Sequence, residues 1–193
     1  MLNHQDVMLQ EHDSHMLGPS VFFQSVTSSV TMNLSTIFHL KGINMCVGAA
    51  CASSSHAIGL ASIYIRQGMQ DMILVGGSST VDMRSMVTID AIEAISLRND
   101  EPTCASRPFD KDRDGTIPSG GAAALVLEEY EHAVARGATI LAEVCGYGFS
   151  SNGTEDIAIP SADAEYTAMQ RALVDADLLP TDIDYVNAHG TST

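Results

Sequence analysis

Basic residues are scarce in this sequence, which has 9 lysines and arginines against 24 aspartates and glutamates and a net charge of −15. A surface this acidic repels the phosphates of nucleic acids and of anionic membranes. It is also a poor surface for a strongly acidic protein partner. We therefore expect neither nucleic-acid binding nor attachment to a membrane surface.

Long apolar segments are missing as well. No apolar run reaches the roughly 18 residues that a membrane-spanning helix needs. The N-terminal stretch MLNHQDVMLQEHDSH has no basic patch and no apolar core, so it is unlike a signal peptide. We expect a solvated segment there, not a metal site at His4, His12 and His15, because no second cluster of ligands accompanies them. These features predict a cytoplasmic protein.

Cysteine occurs only four times, and no C-x-x-C pair or zinc-ligand cluster with histidine is present. We expect no disulfide scaffold and no metal site. Cys46, Cys104 and Cys145 are predicted to be reduced and mostly buried. Cys51 differs from them because it lies in GAACASSS, where very small residues surround it.

Apolar periodicity predicts an alternation of helices and strands along the chain. Helices are predicted over 20–39 (ended by Lys41-Gly42), 52–67 (ended by Gly68), 84–95, 131–137 and 163–176 (capped by Ser161). Strands are predicted over 43–47, 71–77, 122–129, 139–147 and 183–188, and a loop over 99–120. This alternation is typical of an α/β protein with a largely parallel sheet covered on both faces.

Cys51 falls at a predicted strand-to-helix junction, a sharp turn that leaves a side chain exposed above a sheet. Its small neighbours would let a substrate carbonyl approach the sulfur closely. The dipole of the following helix favours a thiolate, and the Cys51 backbone N–H is placed to donate to a developing oxyanion. The octapeptide alone leaves a second interpretation open, a buried cysteine in a packing seam of alanine and serine.

Two polar motifs accompany this cysteine. His189 follows the last predicted strand and opens HGTST, a placement that suits a site histidine and a structural histidine equally. DKDRDG begins like a calcium loop at Asp110, but its twelfth position is Gly121 instead of the required glutamate. We expect a turn held by aspartate side chains and by a pair between an aspartate and Arg113. No glycine-rich loop has phosphate-binding spacing.

Four motifs together resemble the β-ketoacyl-acyl-carrier-protein synthases of the KAS I/II type: AACASSSHAIG, GGSST, RPFDKDRDG and NAHGTST. They stand in that family's order, and the resemblance extends over residues 17–193. It implies the thiolase-like α/β fold, layered α-β-α-β-α, normally in a homodimer. Because members of the family are much longer, it implies an incomplete fold. Residues 1–149 would be the N-terminal half without its first strands, and 150–193 the start of the C-terminal half, truncated after HGTST.

The resemblance also implies a 3-oxoacyl-[acyl-carrier-protein] synthase of fatty acid or related polyene or polyketide synthesis. Cys51 would accept an acyl group from acyl carrier protein as a thioester, and decarboxylated malonyl-carrier protein would attack it. His189 would stabilise the enolate oxygen, and Thr191 and Thr193 would contact the pantetheine arm. Thr116 stands where many members have a phenylalanine that lines the acyl pocket. No metal or organic cofactor is implied.

Two other functions stay open at this point. A non-catalytic or degenerate partner subunit would keep the fold, although such partners usually lose the cysteine that is intact here. A Cys–His hydrolase would use Cys51 and His189 but would explain neither RPFDKDRDG nor HGTST. We expect the chain alone to be inactive in condensation, because the family's second histidine, the following lysine and a glycine-rich gating loop have no counterpart in it.

Overall fold

The computed structural model describes Gly18, residues 20–154 and residues 159–193. His4, His12 and His15, for which a solvated segment was predicted, lie outside the described residues. Within them the helices are α1 (Ser20–Ser25), α2 (Ser29–Ile37), α3 (Ser53–Arg66), α4 (Met83–Asp90), α5 (Tyr130–Ala135) and α6 (Ala162–Ala176). The strands are β1 (Met72–Ser79) and β2 (Gly121–Glu128), and short 3-10 turns lie at Ala50–Ala52, Pro102–Cys104 and Pro180–Asp182.

The predicted single helix over 20–39 is two helices, α1 and α2, which are separated by a short turn at residues 26–28. At this turn the Ser25 hydroxyl donates to the Phe22 carbonyl (2.9 Å), and such side-chain bonds to the backbone favour a helix end. α2 ends earlier than predicted. His39 has a left-handed φ of 53°, and the Leu40 amide donates to the Ser35 carbonyl (2.9 Å), which closes the helix before Lys41-Gly42.

α3 follows the prediction closely. It ends one residue before Gln67, and Gly68 has the left-handed φ of 66° that ends a helix. Its inner face packs on the sheet, so that Ala61, Val75 and Leu127 form a small buried cluster with Ile58, Ile65 and Ile73 half-buried around it. Burial of these aliphatic side chains joins α3 to both strands.

The two strands pair antiparallel, with Met72 opposite Glu128 and Ser79 opposite Gly121. Both were predicted within two residues of their observed bounds. The prediction of a largely parallel sheet covered on both faces is wrong for the described residues, whose sheet has these two strands only. The chain between the two strands is long and includes α4 and the loop 99–120.

The strands predicted over 43–47, 139–147 and 183–188 do not form among the described residues. Apolar runs indicate segments suited to a buried strand, but a strand also needs a neighbour that satisfies its N–H and C=O groups. No neighbouring strand in the described part of the chain pairs with these three segments. The sequence pattern therefore predicted more strands than the described residues form.

α6 agrees with the prediction within one residue at both ends, whereas α4 agrees only at its start. α4 begins at a capping box of Asp82 and Ser85 but stops at Asp90, several residues short of the predicted end. α6 is capped by Ser161, whose hydroxyl accepts from the Ala164 amide (3.2 Å), as predicted. It ends at Ala176, as predicted, and the next residue, Asp177, caps it with a left-handed φ of 56°.

Much apolar surface stays exposed. The chain has an accessible surface of 14671 Å², whereas a compact monomer of 20.5 kDa exposes about 8,800 Å². Phe22, Ile37 and Leu125 are each more than half exposed, and among the described residues no side chain is completely buried. No helix in that part of the chain is both long and apolar enough to cross a membrane.

Candidate active site

Cys51 lies in the middle of the 3-10 turn Ala50–Ala52, directly before α3 begins at Ser53. Local bonds hold this turn. The Ser53 hydroxyl donates to the Ala50 carbonyl (2.7 Å) and accepts from the Ala49 amide (2.8 Å). The predicted sharp turn at the start of the helix is therefore present, although the strand predicted before it is not.

Ala50 shows why the cysteine has such small neighbours. Its φ of 48° is in the left-handed region, where bulky and β-branched residues are strongly disfavoured. Strained residues of this kind are concentrated at functional sites. Because Cys51 is exposed, a tight turn explains GAACASSS and a buried packing seam does not.

Two glycines let α3 approach its neighbours closely. A Cβ at Gly77 in β1 would lie 2.1 Å from Ser54 Oγ, so β1 and the start of α3 approach so closely that a side chain there would displace the Ser54 hydroxyl. A Cβ at Gly59 in α3 would lie 2.2 Å from the ring of Tyr147. α3, whose N-terminal end carries Cys51, is thus fixed between β1 and the segment around Tyr147.

All four cysteines are free and exposed. The prediction that Cys46, Cys104 and Cys145 are mostly buried is therefore wrong. These three lie in a 3-10 turn or in irregular segments that no layer of the described chain covers, and apolar character leads to burial only where a covering layer exists. Exposure alone does not distinguish Cys51 from the other thiols; its place on the strained turn before α3 does.

HGTST folds into a hook, because Gly190 and Ser192 both have left-handed backbones, with φ of 55° and 67°. Ser192 is only 3% exposed. The hydroxyl oxygens of Thr191 and Thr193 lie 2.6 Å apart and share a hydrogen bond. The two threonines predicted to contact a pantetheine arm are therefore brought together as a pair.

The hook docks on the 107–115 loop, which has the sequence RPFDKDRDG. The Arg107 amide donates to Ser192 Oγ (3.0 Å), and the Gly115 amide donates to the Ser192 carbonyl oxygen (2.9 Å). Arg113 Nε donates to the Thr193 carbonyl oxygen (2.8 Å), across 80 positions of sequence. Two motifs that are far apart in the sequence therefore form one surface.

Asp114, which belongs to the 107–115 loop, connects this loop to residues 96 and 97. Its carboxylate accepts from Ser96 Oγ (2.6 Å) and from the Leu97 amide (3.1 Å), and it pairs with the Arg107 guanidinium (2.9 Å). The bond from Ser96, then the Leu97 amide and the Arg107 charge, lower the pKa of Asp114 below its ordinary value. The ionised carboxylate thus holds Arg107, whose amide in turn holds Ser192.

The DKDRDG turn differs from the prediction in one pair. The Asp110 carboxylate accepts from the Asp112 amide (2.8 Å), so an aspartate side chain does hold the turn. Arg113, however, donates to the Asp110 backbone carbonyl (2.9 Å), and the ion pair forms between Arg107 and Asp114 instead. Local spacing favoured Arg113, but Asp114 is held by residues 96 and 97, which only the fold brings near.

Thr116 belongs to the same region through its backbone. Its amide donates to the Ala94 carbonyl (2.7 Å), and its carbonyl accepts from the Ser96 amide (3.1 Å). The residue is half-buried and directly follows Gly115, which contacts the hook. Thr116 is therefore close in the structure to HGTST.

Cys51 and His189 are not joined to each other or to this surface by any bond. Within residues 18, 20–154 and 159–193, no hydrogen bond or ion pair involves the Cys51 thiol or the His189 ring, and both residues are exposed. The roles assigned to Cys51, His189, Thr191, Thr193 and Thr116 stay predictions.

A second junction, which the sequence analysis missed, ties α3 to the later part of the chain. Arg66 at the end of α3 makes two hydrogen bonds to the Asp175 carboxylate in α6 (3.1 and 3.0 Å). Asp175 also accepts from the Tyr147 amide (2.8 Å), and the Tyr147 hydroxyl bonds to His56 Nδ1 in α3. Arg66 and the Tyr147 amide lower the pKa of Asp175. These residues form no short motif, so no spacing indicated them.

A cavity of about 190 Å³ lies beside this second junction, next to the start of α3. The rings of His56, Tyr147 and Phe149 line it, with centroids 5.4 to 6.3 Å apart. Burial raises the pKa of the Tyr147 hydroxyl. Across the described residues, no group of three or more His, Cys, Asp or Glu side chains is arranged to hold a metal ion.

Comparison with known proteins places these features in a family. The β-ketoacyl synthase N-terminal domain matches residues 2–133, and the β-ketoacyl synthase C-terminal domain matches residues 141–193. The 3-oxoacyl-[acyl-carrier-protein] synthase 1 of Haemophilus influenzae is 41% identical over 178 residues, 92% of this chain and 43% of that protein. The chain thus spans less than half the length of this curated relative.

Solved structures agree. A β-ketoacyl synthase from Burkholderia phymatum STM815 superposes with a TM-score of 0.93 at 42% identity, over 100% of this chain and 47% of that one. A type II polyketide ketosynthase, solved in complex with its acyl-carrier protein, gives 0.85 at 31% identity, over 93% of this chain and 45% of that one. The Cys51 turn, the 107–115 loop and HGTST all lie within the matched residues, and the chain belongs to the β-ketoacyl synthase family, with the thiolase-like fold of ketosynthases.

Proposed function

We propose that the gene product that contains this chain is a 3-oxoacyl-[acyl-carrier-protein] synthase. It would extend an acyl chain by decarboxylative condensation with malonyl-acyl carrier protein, in fatty acid synthesis or in related polyene or polyketide synthesis. The observation that carries the proposal is the exposed Cys51 on a strained turn at the start of α3. A sulfur nucleophile in this position suits exchange with a thioester.

In the first half-reaction the Cys51 sulfur attacks the carbonyl carbon of the acyl thioester. A carbon–sulfur bond to Cys51 forms, the bond to the pantetheine sulfur breaks, and the pantetheine thiol carries the proton away. The N-terminal end of α3, which begins two residues after Cys51, favours negative charge on the attacking sulfur and on the tetrahedral oxygen. The acyl group is then held as a thioester on Cys51.

In the second half-reaction the malonyl thioester loses carbon dioxide. Its carbon–carbon bond to the carboxylate breaks, and the electron pair forms an enolate that attacks the Cys51 thioester. The new carbon–carbon bond forms as the Cys51 thiolate leaves. We assign to His189 a hydrogen bond to the enolate oxygen, to Thr191 and Thr193 the pantetheine arm, and to Thr116 the acyl pocket. The proposal uses no metal or organic cofactor.

The proposed partner is acyl carrier protein in its acyl and malonyl forms, in the cytoplasm. The described residues offer little free positive charge for an acidic partner. Among the basic side chains that the structure describes, four are in ion pairs: Arg66, Arg98, Arg107 and Arg136. We therefore place most of the basic docking surface in parts of the protein beyond this chain.

We further propose a homodimer in which other parts of the family's fold cover the faces that this chain leaves open. The exposed surface of 14671 Å² supports this, because it greatly exceeds that of a compact monomer. On this proposal residues 1–149 form most of the N-terminal half and 150–193 the start of the C-terminal half. The 193-residue chain alone would then lack condensing activity.

The test is to incubate the purified gene product with acyl- and malonyl-carrier protein and to look for the 3-oxoacyl product by mass spectrometry. We expect an acyl adduct on Cys51 with acyl-carrier protein alone, and product only when the malonyl form is added. The 193-residue chain serves as a parallel sample and should give no product.

Absence of both the adduct and the product from the full gene product would refute the proposal. A full gene product that binds acyl carrier protein but forms no adduct would instead support a non-catalytic partner subunit.

A further inference from the structure

Ser192 is the unusual residue of HGTST. It is a serine with a left-handed φ of 67°, it is 3% exposed, and it stands between two threonines. A non-glycine residue in this region is strained and keeps that conformation only where its surroundings hold it. The contacts around Ser192 must therefore stabilise its left-handed backbone.

The 107–115 loop supplies the contacts that hold it. Ser192 Oγ accepts from the Arg107 amide (3.0 Å), and its carbonyl oxygen accepts from the Gly115 amide (2.9 Å). Asp114 fixes the side chain of Arg107 from the opposite side (2.9 Å). The hydroxyl and the carbonyl oxygen of Ser192 thus accept hydrogen bonds from the 107–115 loop, which the Arg107–Asp114 ion pair stabilises.

The left-handed backbone brings the two flanking threonine side chains together. In an extended strand, residues two positions apart are separated by about 6.6 Å along the chain, and their hydroxyls do not meet. Here the Thr191 and Thr193 hydroxyl oxygens lie 2.6 Å apart. One hydroxyl donates to the other, so the pair keeps one donor hydrogen and several acceptor lone pairs for a ligand.

We propose that Ser192 is a positioning residue, which presets the hydroxyls of Thr191 and Thr193 as one unit that binds a single amide of the pantetheine arm. A secondary amide has one N–H donor and one C=O acceptor, and it therefore matches the donor and acceptors that the hydroxyl pair offers. This inference rests on the proposed function, since pantetheine is the arm of the proposed substrate.

The experiment compares Ser192→Ala and Ser192→Gly with the wild-type gene product. The rate of Cys51 acylation is measured by intact mass with two donors, the best of a series of acyl-pantetheine thioesters and the ethyl thioester of the same acyl group, which has no amide. For Ser192→Ala we expect acylation from the pantetheine thioester to slow by about tenfold, because the Arg107 N–H loses its partner and the hydroxyl pair loosens. The ethyl thioester rate should stay within about twofold.

Ser192→Gly separates the backbone from the hydroxyl. Glycine adopts the left-handed conformation without strain, so this variant should retain more of the pantetheine rate than Ser192→Ala. It also answers the question if Ser192→Ala does not fold. In a Thr191→Val background, Ser192→Ala should change the ratio of the two rates little further, because the hydroxyl pair is already gone.

The outcomes separate the inference from the proposed function. If the wild type forms no acyl-Cys51 from any pantetheine thioester, the proposed function fails. If the wild type is acylated but the Ser192 variants lose both rates equally, or lose neither, Ser192 does not position the threonines and the inference is overturned.

Discussion

The Cys51 turn and the HGTST hook are both strained, but they are held in different ways. At the turn, the Ser53 hydroxyl bonds Ala49 and Ala50, residues four and three positions away. In the hook, Ser192 is bonded to Arg107, which is 85 positions away. The Cys51 turn is therefore a local structure, whereas the hook exists only when distant parts of the chain have come together.

The Cys51 turn and the hook therefore depend on the rest of the protein to different degrees. A turn held by its own helix keeps its geometry as long as α3 is formed. A hook held by a loop is lost when that loop moves, even if its own sequence is unchanged. We therefore expect substitutions in the 107–115 loop to act on HGTST at a distance and substitutions near Cys51 to act locally.

The largest effect is expected at Cys51 itself. Cys51→Ala should abolish the acyl adduct completely, because no other group at the turn replaces the sulfur. The measurement is the intact mass after incubation with the acyl thioester. Cys46→Ala is the matched control, since Cys46 is also free and exposed, and it should load fully. Undiminished loading of Cys51→Ala would show that the nucleophile has been misassigned.

The next largest effect should come from Gly115→Ala in the loop that holds the hook. Gly115 has a φ of 141°, and a Cβ there would lie 2.5 Å from backbone atoms of residues 95 and 96. Backbone cannot move aside cheaply, so we expect a loss of about 1–3 kcal/mol or more in the free energy of unfolding.

Urea unfolding of the gene product measures this change. Gly121→Ala is the control, because a Cβ at Gly121 meets nothing within 4 Å, and it should be nearly neutral. Equal stability of the two variants would contradict the tight packing of the 107–115 loop.

A smaller effect is expected from Ser53→Ala at the Cys51 turn. The variant loses both bonds of the Ser53 hydroxyl, and a typical hydrogen bond contributes about 0.5–1.5 kcal/mol to stability. The change should be local: Cys51 acylation slows, while the ratio of the pantetheine and ethyl thioester rates stays that of the wild type. Ser55→Ala, two residues further on, is the control. A shift in that ratio for Ser53→Ala would mean that the two ends of the site are coupled.

The smallest effect is expected from pH. Asp114 supports the hook and Asp175 supports α3, and the pKa of each is lowered in the folded protein. A lowered folded pKa stabilises the protein above the ordinary aspartate pKa of about 3.9, and this stabilisation is lost as the pH falls through the folded value.

When the pH is lowered below about 4, the urea concentration at the unfolding midpoint of the wild type should therefore decrease. This decrease should be less steep for Asp114→Asn and Asp175→Asn. Asp112→Asn is the control, because its carboxylate makes no hydrogen bond or ion pair in the described part of the chain. Parallel pH profiles for all four proteins would contradict the roles of Asp114 and Asp175.

Local signals predicted well where the interactions are local. The stop of α3 at Gly68 and the cap of α6 at Ser161 were both predicted, because each depends on backbone conformation or on a bond within one helical turn. The turn at Cys51 follows from the same kind of signal, since the run of very small residues around it indicates a tight turn. By contrast, the pairing of Arg107 with Asp114 was missed, because Asp114 is selected by residues 96 and 97 across the fold.

The sequence by itself determined the family, through four short motifs in order, and the bounds of α3 and α6 to within one residue. It also led to the prediction that Cys51 and His189 carry the chemistry, since a cysteine among very small residues and the histidine that opens HGTST are visible in the sequence. Only the tertiary structure decided that β1 and β2 pair antiparallel and that three apolar segments find no strand partner among the described residues. It also decided that Ser192 docks on Arg107 and Gly115. The physical reason is that strand pairing and long-range hydrogen bonds depend on which neighbour is within reach, and no local pattern of residues encodes that neighbour.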